Sequence, residues 1–339
     1  MKQTGAIISG TPLGGESDEV DDGSAESEWR PCAVAAAQHG QRLDQALVAL
    51  VAEFSRSYLQ HMLEAGQVSV NGQAVRKPAL RVKAGDQLLV EIRPTAQSQA
   101  FKPERIALNV VYQDLHLLVI DKPAGLVVHP APGNWGGTLL NALLAYDPAS
   151  ALVPRAGIVH RLDKDTSGLM VVARTRAVMD ALVAAIAERR VSRQYLALAH
   201  RPWQGPERVR VDAPIGRDPR NRLRMAVVDL AKAQGKAAST DVILLGNAVD
   251  GCFVRCVLHT GRTHQIRVHM ASLGHPLVAD TVYGGSALDG LQRQALHAVR
   301  LAFTHPVSGV ALAFETPLPN DIATLLGAWG LRYNPPNAP

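Results

Sequence analysis

Hydrophobic residues recur along this chain in two periods, and the switches between them mark out its elements. Leu43, Leu47 and Leu50 fall at helical spacing after Gln41, and Leu59, Met62 and Leu63 do so again after Ser55, whose hydroxyl can cap a helix start. Gly66 ends the second helix. Val68-Ser69-Val70 then alternates, Asn71-Gly72 supplies a tight hairpin turn, and Gln87 to Ile92 returns as a strand. Farther on, Val110-Val111-Tyr112, Leu117 to Ile120, Ile158-Val159, Leu169 to Ala173 and Gln194 to Ala199 read as strands. So do Arg208 to Val211, Ser239 to Leu245, Cys252 to His259 and Val310 to Phe314. Thr138 to Leu144 and Thr175 to Arg190 read as helices, the second with Val178, Leu182 and Ile186 as its apolar stripe. A further helix is expected to start at a Thr263 cap and end near Gly274, burying Ile266, Met270 and Leu273. Strands outnumber the helices that parallel crossovers require. The expected class is α+β, with a mixed, mainly antiparallel sheet in its larger part.

Where the periodicity stops, composition takes over. Residues 1–31 are rich in Gly, Ser and acid and are expected to form a disordered tail. Residues 41–93 read as a small α/β domain, 94–105 as a polar linker, 106–326 as a second domain, and 327–339 as a Pro/Asn-rich C-terminal tail. At 339 residues and 47% hydrophobic content the chain can build two cores. No apolar run approaches the roughly eighteen residues of a membrane span, and no apolar signal core precedes the acidic stretch, so a cytoplasmic protein is expected. Three cysteines, Cys32, Cys252 and Cys256, form neither a disulfide framework nor a metal cluster. Cys252 and Cys256, four apart in a strand, belong on one face as small core residues.

Charge changes the picture. Residues 1–30 hold seven acids against Lys2 and Arg30, a net of −5, so the remaining chain carries +10 of the total +5. A body that basic suits a polyanion such as RNA. The stretch Arg201 to Lys236 adds Arg208, Arg210, Arg217, Arg220, Arg222, Arg224 and Lys232 among few apolar residues, as expected of a phosphate-tracking insert.

The densest chemistry lies between Ile158 and Ala173, where the polar loop between two apolar runs carries carboxylates, cations and hydroxyls. Its His160-Arg161-Leu162-Asp163, followed by Thr166-Ser167-Gly168-Leu169, resembles the H-R-L-D-x-x-T-S-G-L signature of the RluA family of pseudouridine synthases. Asp121-Lys122-Pro123-Ala124-Gly125, Arg193-Gln194-Tyr195-Leu196 and Thr260-Gly261-Arg262-Thr263-His264-Gln265-Ile266-Arg267 resemble further motifs of that family, in its order. The pieces Asp212 to Arg217 and Gly235-Lys236 with Thr240 fit as well, although Ala-Ala-Ser-Thr follows Gly235-Lys236 without the proline often found there. The run from Arg42-Leu43-Asp44 through Ser55-Arg56-Ser57-Tyr58-Leu59 to Val70-Asn71-Gly72 resembles the S4 RNA-binding domain. The order of motifs is most similar to the RluD-like subgroup, which modifies large-subunit ribosomal RNA.

The resemblance implies an S4-like unit followed by a catalytic domain that isomerises uridine to pseudouridine, with Asp163 as the catalytic carboxylate, Tyr195 as the active-site aromatic and Arg267 as the cation paired with Asp163. Candidate RNA contacts are Arg42, Arg56, Arg76 and Lys77 in the first unit and His160, Arg161, Arg217, Arg262 and His264 in the second. Lys122 is expected to be architectural, since Pro and Gly shape its loop. The implied partner is large-subunit rRNA or a pre-ribosomal particle, met by a monomer away from any membrane, with no cofactor and no metal. Three steps stay open to Asp163: attack on the sugar, attack on the ring, and proton abstraction from a glycal-type intermediate. Two rivals stand beside this reading: a non-catalytic ribosome-assembly protein on the same fold, and a hydrolase using Asp163 with Asp165.

Overall fold

In the computed structural model, which describes residues 28–92, 100–131, 133–221, 223–288 and 290–334, the chain divides into two units at Thr95. The first unit sets helices α1 (Leu43–Leu50) and α2 (Arg56–Glu64) against a four-stranded sheet of β1 (Glu28–Ala33), β2 (Val68–Val70), β3 (Gln73–Ala74) and β4 (Gln87–Ile92) in the order β1-β4-β2-β3. Leu43, Leu47, Leu59, Met62 and Leu63 from the helices close over Val68, Leu88 and Val90 from the strands. Ser55 caps α2 by accepting the Tyr58 N–H. Asn71 and Gly72 take the positive φ angles of a tight hairpin turn, 51° and 81°.

One strand of this sheet falls where a disordered tail is expected. Residues 28–33 pair antiparallel with β4 over six residues, Glu28 opposite Ile92 through Ala33 opposite Gln87. Arg30 and Pro31 hide the alternation from a hydropathy reading, yet Pro31 is tolerable on an edge strand and Arg30 is bound by Glu28 and Glu53. The rest of the expected tail, residues 1–27, lies outside the described residues, as do 93–99 of the expected linker.

The second unit is built on a sheet whose strands run in the order β5 (Asn109–Gln113), β6 (Leu117–Lys122), β7 (Ser167–Ala173), β15 (Leu296–Thr304), β8 (Ser192–His200), β14 (Gly251–Leu258), β13 (Ser239–Asn247) and β9 (Arg208–Asp212). Strand β16 (Ala311–Glu315) pairs with the second half of β15. Only the β7–β15 contact is parallel, so the sheet is mixed and mainly antiparallel. A small sheet of β10 (Ile215–Arg217), β11 (Met225–Val227) and β12 (Gly235–Lys236) forms the arginine-bearing insert. Helices α3 (Leu139–Tyr146) and α5 (Gln265–Ser272) join one face, where Leu139, Leu140, Leu143, Ile266 and Met270 meet Met170, Tyr195, Cys252 and Cys256. Helix α4 (Arg176–Ala187) and helix α6 (Asn320–Ala328) contribute Val178 and Leu182, and Ile322 and Leu325, to two further cores. Among the described residues no helix is long and apolar enough to cross a membrane.

Four local expectations change. Ile158-Val159 is not a strand: a left-handed turn at Arg155 and Ala156 (φ 54° and 51°) delivers the chain there, and Ile158 makes only a single bridge to Val172. The central strand β15 was not expected, because its residues are buried on both faces and lose the alternation that marks a half-exposed strand. The end of the expected linker is docked, with Ala100 buried and Asn141 Nδ2 donating to the carbonyls of Ala100 (3.2 Å) and Lys102 (2.8 Å). The expected C-terminal tail is packed as far as Tyr333, since Trp329, Leu331 and Tyr333 cover the α6 core; residues 335–339 lie outside the described residues.

Gly168 allows the parallel contact that brings β7 beside β15. It has φ +116°, and a Cβ there would stand 2.3 Å from the Ala298 carbonyl oxygen. Gly168→Ala should therefore destabilise the protein by more than about 2 kcal/mol, through strain and overpacking together. A urea unfolding curve superimposable on the wild type would show that the contact is not constrained in this way.

Candidate active site

Strand β7 is buried along its whole length, and the loop that enters it is held from several sides. Lys122, at the end of β6, is 1% exposed and donates to the carbonyls of Pro123 (2.7 Å), Leu126 (2.9 Å) and Lys164 (3.0 Å). Burial pushes its ammonium down to about 8, against the opposing charge of Asp165. The Gly125 N–H reaches the same Lys164 oxygen. Lys122 thus ties one motif loop to the other, in keeping with an architectural part. Downstream, the Thr166 N–H closes a turn on the Asp163 carbonyl, Arg293 donates to the Asp165 carbonyl, and Gln294 donates to Thr166 Oγ1. The backbone around Asp163 is thereby immobilised while its side chain reaches a cleft.

Helix α5 approaches from the other side. Gln265, not Thr263, organises its start: Gln265 Oε1 accepts from the Arg262 N–H (2.9 Å) and Thr260 Oγ1 (2.7 Å), while Nε2 donates to the Ser239 carbonyl and Thr240 Oγ1. The N-cap residue is His264, in the left-handed conformation with no side-chain cap, which leaves Thr263 out of the capping role. One turn later Arg267 is buried between two carboxylates. Its Nε and Nη2 donate to Asp280 at 2.7 and 2.8 Å, and its Nη1 donates to Asp163 Oδ2 at 3.1 Å. The Arg267 and Asp280 side chains are 7% and 0% exposed, that of Asp163 17%. Burial works to lower the Arg267 pKa, but the hydrogen bonds and charges of Asp280 and Asp163 outweigh it and hold the guanidinium above its ordinary value. Among the described residues Asp163 Oδ1 accepts no hydrogen bond and faces the cleft.

That cleft has a volume of about 540 Å³ and brings together Asp163, Tyr195, Arg267, His160, Arg161, Arg262 and His264. Tyr195 projects from β8 and is buried. Burial raises its pKa, with Arg193 opposing and Asp163 reinforcing, so its hydroxyl stays protonated at neutral pH. Arg161 is exposed at the cleft, and Arg262 lends its Nε to the Ala237 carbonyl. Arg217 lies outside the cleft, exposed on β10. In the first unit Arg42 and Arg56 both bind the buried Asp44, at 3.0 and 2.8 Å, so one of their two charges is balanced, whereas Arg76 and Lys77 are exposed after β3.

His160 lines the cleft and is also held by the strand behind it. Its Nε2 accepts the Val171 N–H at 3.1 Å, its Nδ1 is buried, and burial pushes the ring down to about 3, assisted by Arg193. The neutral ring braces the loop against β7 through Nε2, while Nδ1 has no hydrogen-bond partner among the described residues.

Several site residues escaped the sequence reading. Asp280 and Tyr283 follow α5, with Tyr283 beneath the Arg267 guanidinium at 5.0 Å. Arg155 and Arg189, each at positive φ, and the buried Arg193 also line the cleft. Only Arg193 had a signal, as the basic member of its motif. A Cβ on Gly261 would stand 2.8 Å from Arg193 Nη1, so the glycine of the third motif makes room for that guanidinium.

A cleft lined by arginines around a carboxylate held by Arg267, beside a buried tyrosine, is the kind of site an enzyme acting on a polyanion requires. A family profile described as RNA pseudouridylate synthase matches residues 116–272, and one described as S4 domain matches residues 41–88. The chain is 47% identical over 340 residues to ribosomal large subunit pseudouridine synthase D of Neisseria meningitidis serogroup B, a match covering 95% of this chain and 89% of that protein. It is 48% identical over 297 residues to the protein of the same name from Nitrosomonas europaea, covering 85% and 84%. Among solved structures, human RNA Pseudouridylate Synthase Domain Containing 1 is similar with 27% identity and a TM-score of 0.50, over 69% of this chain and 98% of that one. The chain belongs to the RluA family of pseudouridine synthases, with an S4 domain before the catalytic domain, and is an isomerase.

The shared arginine separates stability from chemistry. Arg267→Met leaves the fully buried Asp280 without its partner and should cost about 3–5 kcal/mol of stability. Asp163→Asn keeps an acceptor for one N–H and removes one of two like charges, so it should cost less than about 1 kcal/mol. Equal losses for the two variants in denaturant unfolding would contradict the assignment of Arg267 chiefly to Asp280.

Proposed function

We propose that this enzyme isomerises specific uridines to pseudouridine in the RNA of the large ribosomal subunit, with Asp163 as the reacting carboxylate. In that reaction the C1′–N1 bond breaks, the uracil turns while bound, C5 joins C1′, C5 gives up a proton and N1 gains one. Composition is unchanged. The observation that carries the reading is the Asp163 carboxylate itself: one oxygen on Arg267, the other open to the cleft. A carboxylate so arranged suits covalent or proton-transfer chemistry on a bound base.

Tyr195 supplies a flat, polar-tipped partner for a uracil drawn out of its stack. Arg155, Arg161, Arg189 and Arg262 around the cleft suit the phosphates that flank it. The large-subunit target is supported by the names of the relatives from Neisseria meningitidis and Nitrosomonas europaea. The proposed setting is the cytoplasm, where a monomer meets rRNA or a pre-ribosomal particle, with Arg42, Arg56, Arg76, Lys77, Arg217 and His264 among the groups that contact RNA.

Sequencing of carbodiimide-treated large-subunit rRNA, from cells with and without the gene, should reveal uridines that stop being modified when it is deleted. An unchanged pattern would remove large-subunit rRNA as the substrate. Deleting residues 1–95 should weaken binding to structured rRNA and make its log–log salt slope shallower by about three, the counterion equivalent of the three charges left on Arg42, Arg56, Arg76 and Lys77 once Asp44 balances one of them. At saturating RNA the truncated enzyme should still isomerise uridine. Equal affinity and slope for the two proteins would take the S4 unit out of RNA binding.

A further inference from the structure

His264 combines three features that no other residue of the site shares. Its backbone is left-handed, φ 56° and ψ 23°, a conformation that costs a non-glycine residue about 1–2 kcal/mol. Its Nδ1 lies 2.8 Å from Tyr283 Oη, with the rings edge to face. Its Nε2 lies 3.9 Å from Asp163 Oδ1, beyond hydrogen-bond length and on the cleft.

The position of the imidazole proton follows from Tyr283. The Met225 N–H donates to Tyr283 Oη at 3.0 Å, occupying one lone pair. Among the described residues, the remaining partner of that hydroxyl is His264 Nδ1, so the phenolic proton has one acceptor within reach. The alternative, in which Oη accepts from both Met225 and a protonated Nδ1, would hand the phenolic proton to solvent instead of to the ring. With Nδ1 accepting, the neutral ring carries its proton on Nε2. Burial favours that neutral form; Asp163 and Asp280 act against it, Arg267 and Arg161 with it. The result is an unspent, uncharged donor beside the reacting carboxylate.

We propose that Tyr283 is a positioning residue that holds His264 in its Nε2–H tautomer, and that this donor binds a carbonyl oxygen of the uracil next to Asp163. The inference rests on the uridine substrate proposed above. A neutral donor suits this position, because it recognises the carbonyl without adding positive charge to the Asp163–Arg267 pair. The Tyr283 ring, under the Arg267 guanidinium, and its hydroxyl, on His264, have separate tasks. Met225 belongs to the arginine-bearing insert, so the seating of that insert on Tyr283 is linked to the tautomer at the site.

Long-range nitrogen-15 correlation spectra of the full-length protein, with the His264 signals assigned by their loss in His264→Gln, read the tautomer directly. A protonated Nε2 with an unprotonated Nδ1 is expected, and the reverse overturns the proposal. Tyr283→Phe keeps the ring over Arg267 and should lower kcat/KM on a uridine-containing rRNA fragment about tenfold, the worth of one hydrogen bond to the bound base. His264→Gln removes the imidazole that Tyr283 orients and should lower kcat/KM about tenfold or more, and adding Tyr283→Phe to it should cost nothing further, because the hydroxyl then has no ring to hold. Full activity of Tyr283→Phe, or a further tenfold loss in the double variant, overturns the proposal. If the wild type forms no pseudouridine in rRNA, uracil falls as the ligand together with the proposed function, while the spectrum still decides the tautomer.

Discussion

One guanidinium shared by two carboxylates sets the terms for the catalytic unit. Asp280 is fully buried and takes both Nε and Nη2 of Arg267, a fork-to-fork arrangement that fixes the plane of the guanidinium. A buried carboxylate without that partner would be costly, so this pairing is the stronger demand on the arginine. Its remaining edge then points in one direction only, and Nη1 meets Asp163 there. Asp163 is thus aligned by a cation that cannot rotate away to follow it. Such preorganisation is what a reacting group needs, because no reorientation has to accompany the chemical step.

Meeting that geometry requires the entry to β7 and the start of α5 to be fixed to within a fraction of an ångström, and the motif residues can be understood as the means. Lys122 gathers three carbonyls and ties the loop after β6 to the loop before β7. Gly168 permits the parallel contact with β15, so that the loop leaves the sheet at its centre. Gln265 closes the start of α5 with four hydrogen bonds, and His160 braces its own loop by accepting the Val171 amide. Most of the signature surrounding Asp163 therefore acts through the backbone, and few of its side chains are free to touch a substrate.

That division explains what could be read from the chain alone. The α4 stripe, the Asn71-Gly72 turn, the Ser55 cap and the shared face of Cys252 and Cys256 were legible because each depends on neighbours a few residues away. The family motifs located Asp163, Tyr195 and Arg267, three residues from three elements that line one cleft. Strand β15 was hidden by burial on both faces, and β1 by an arginine and a proline that only an edge position explains. Trp329 and Tyr333 looked like tail residues because the surface they cover comes from distant segments. Asp280 was equally silent: one acid in an unremarked turn acquires meaning only when the fold sets Arg267 against it. His160 was half legible: its place in the motif put it on the cleft, but its bond to the Val171 amide depends on a strand that only the fold sets behind it.

The central claim is that the whole arrangement serves a single carboxylate. Its most direct test is a single-turnover assay of Asp163→Asn on large-subunit rRNA, run beside a measurement of that variant's RNA affinity. Affinity equal to the wild type, with pseudouridine formation below detection, is the predicted result. Turnover by Asp163→Asn at the wild-type rate would contradict the account.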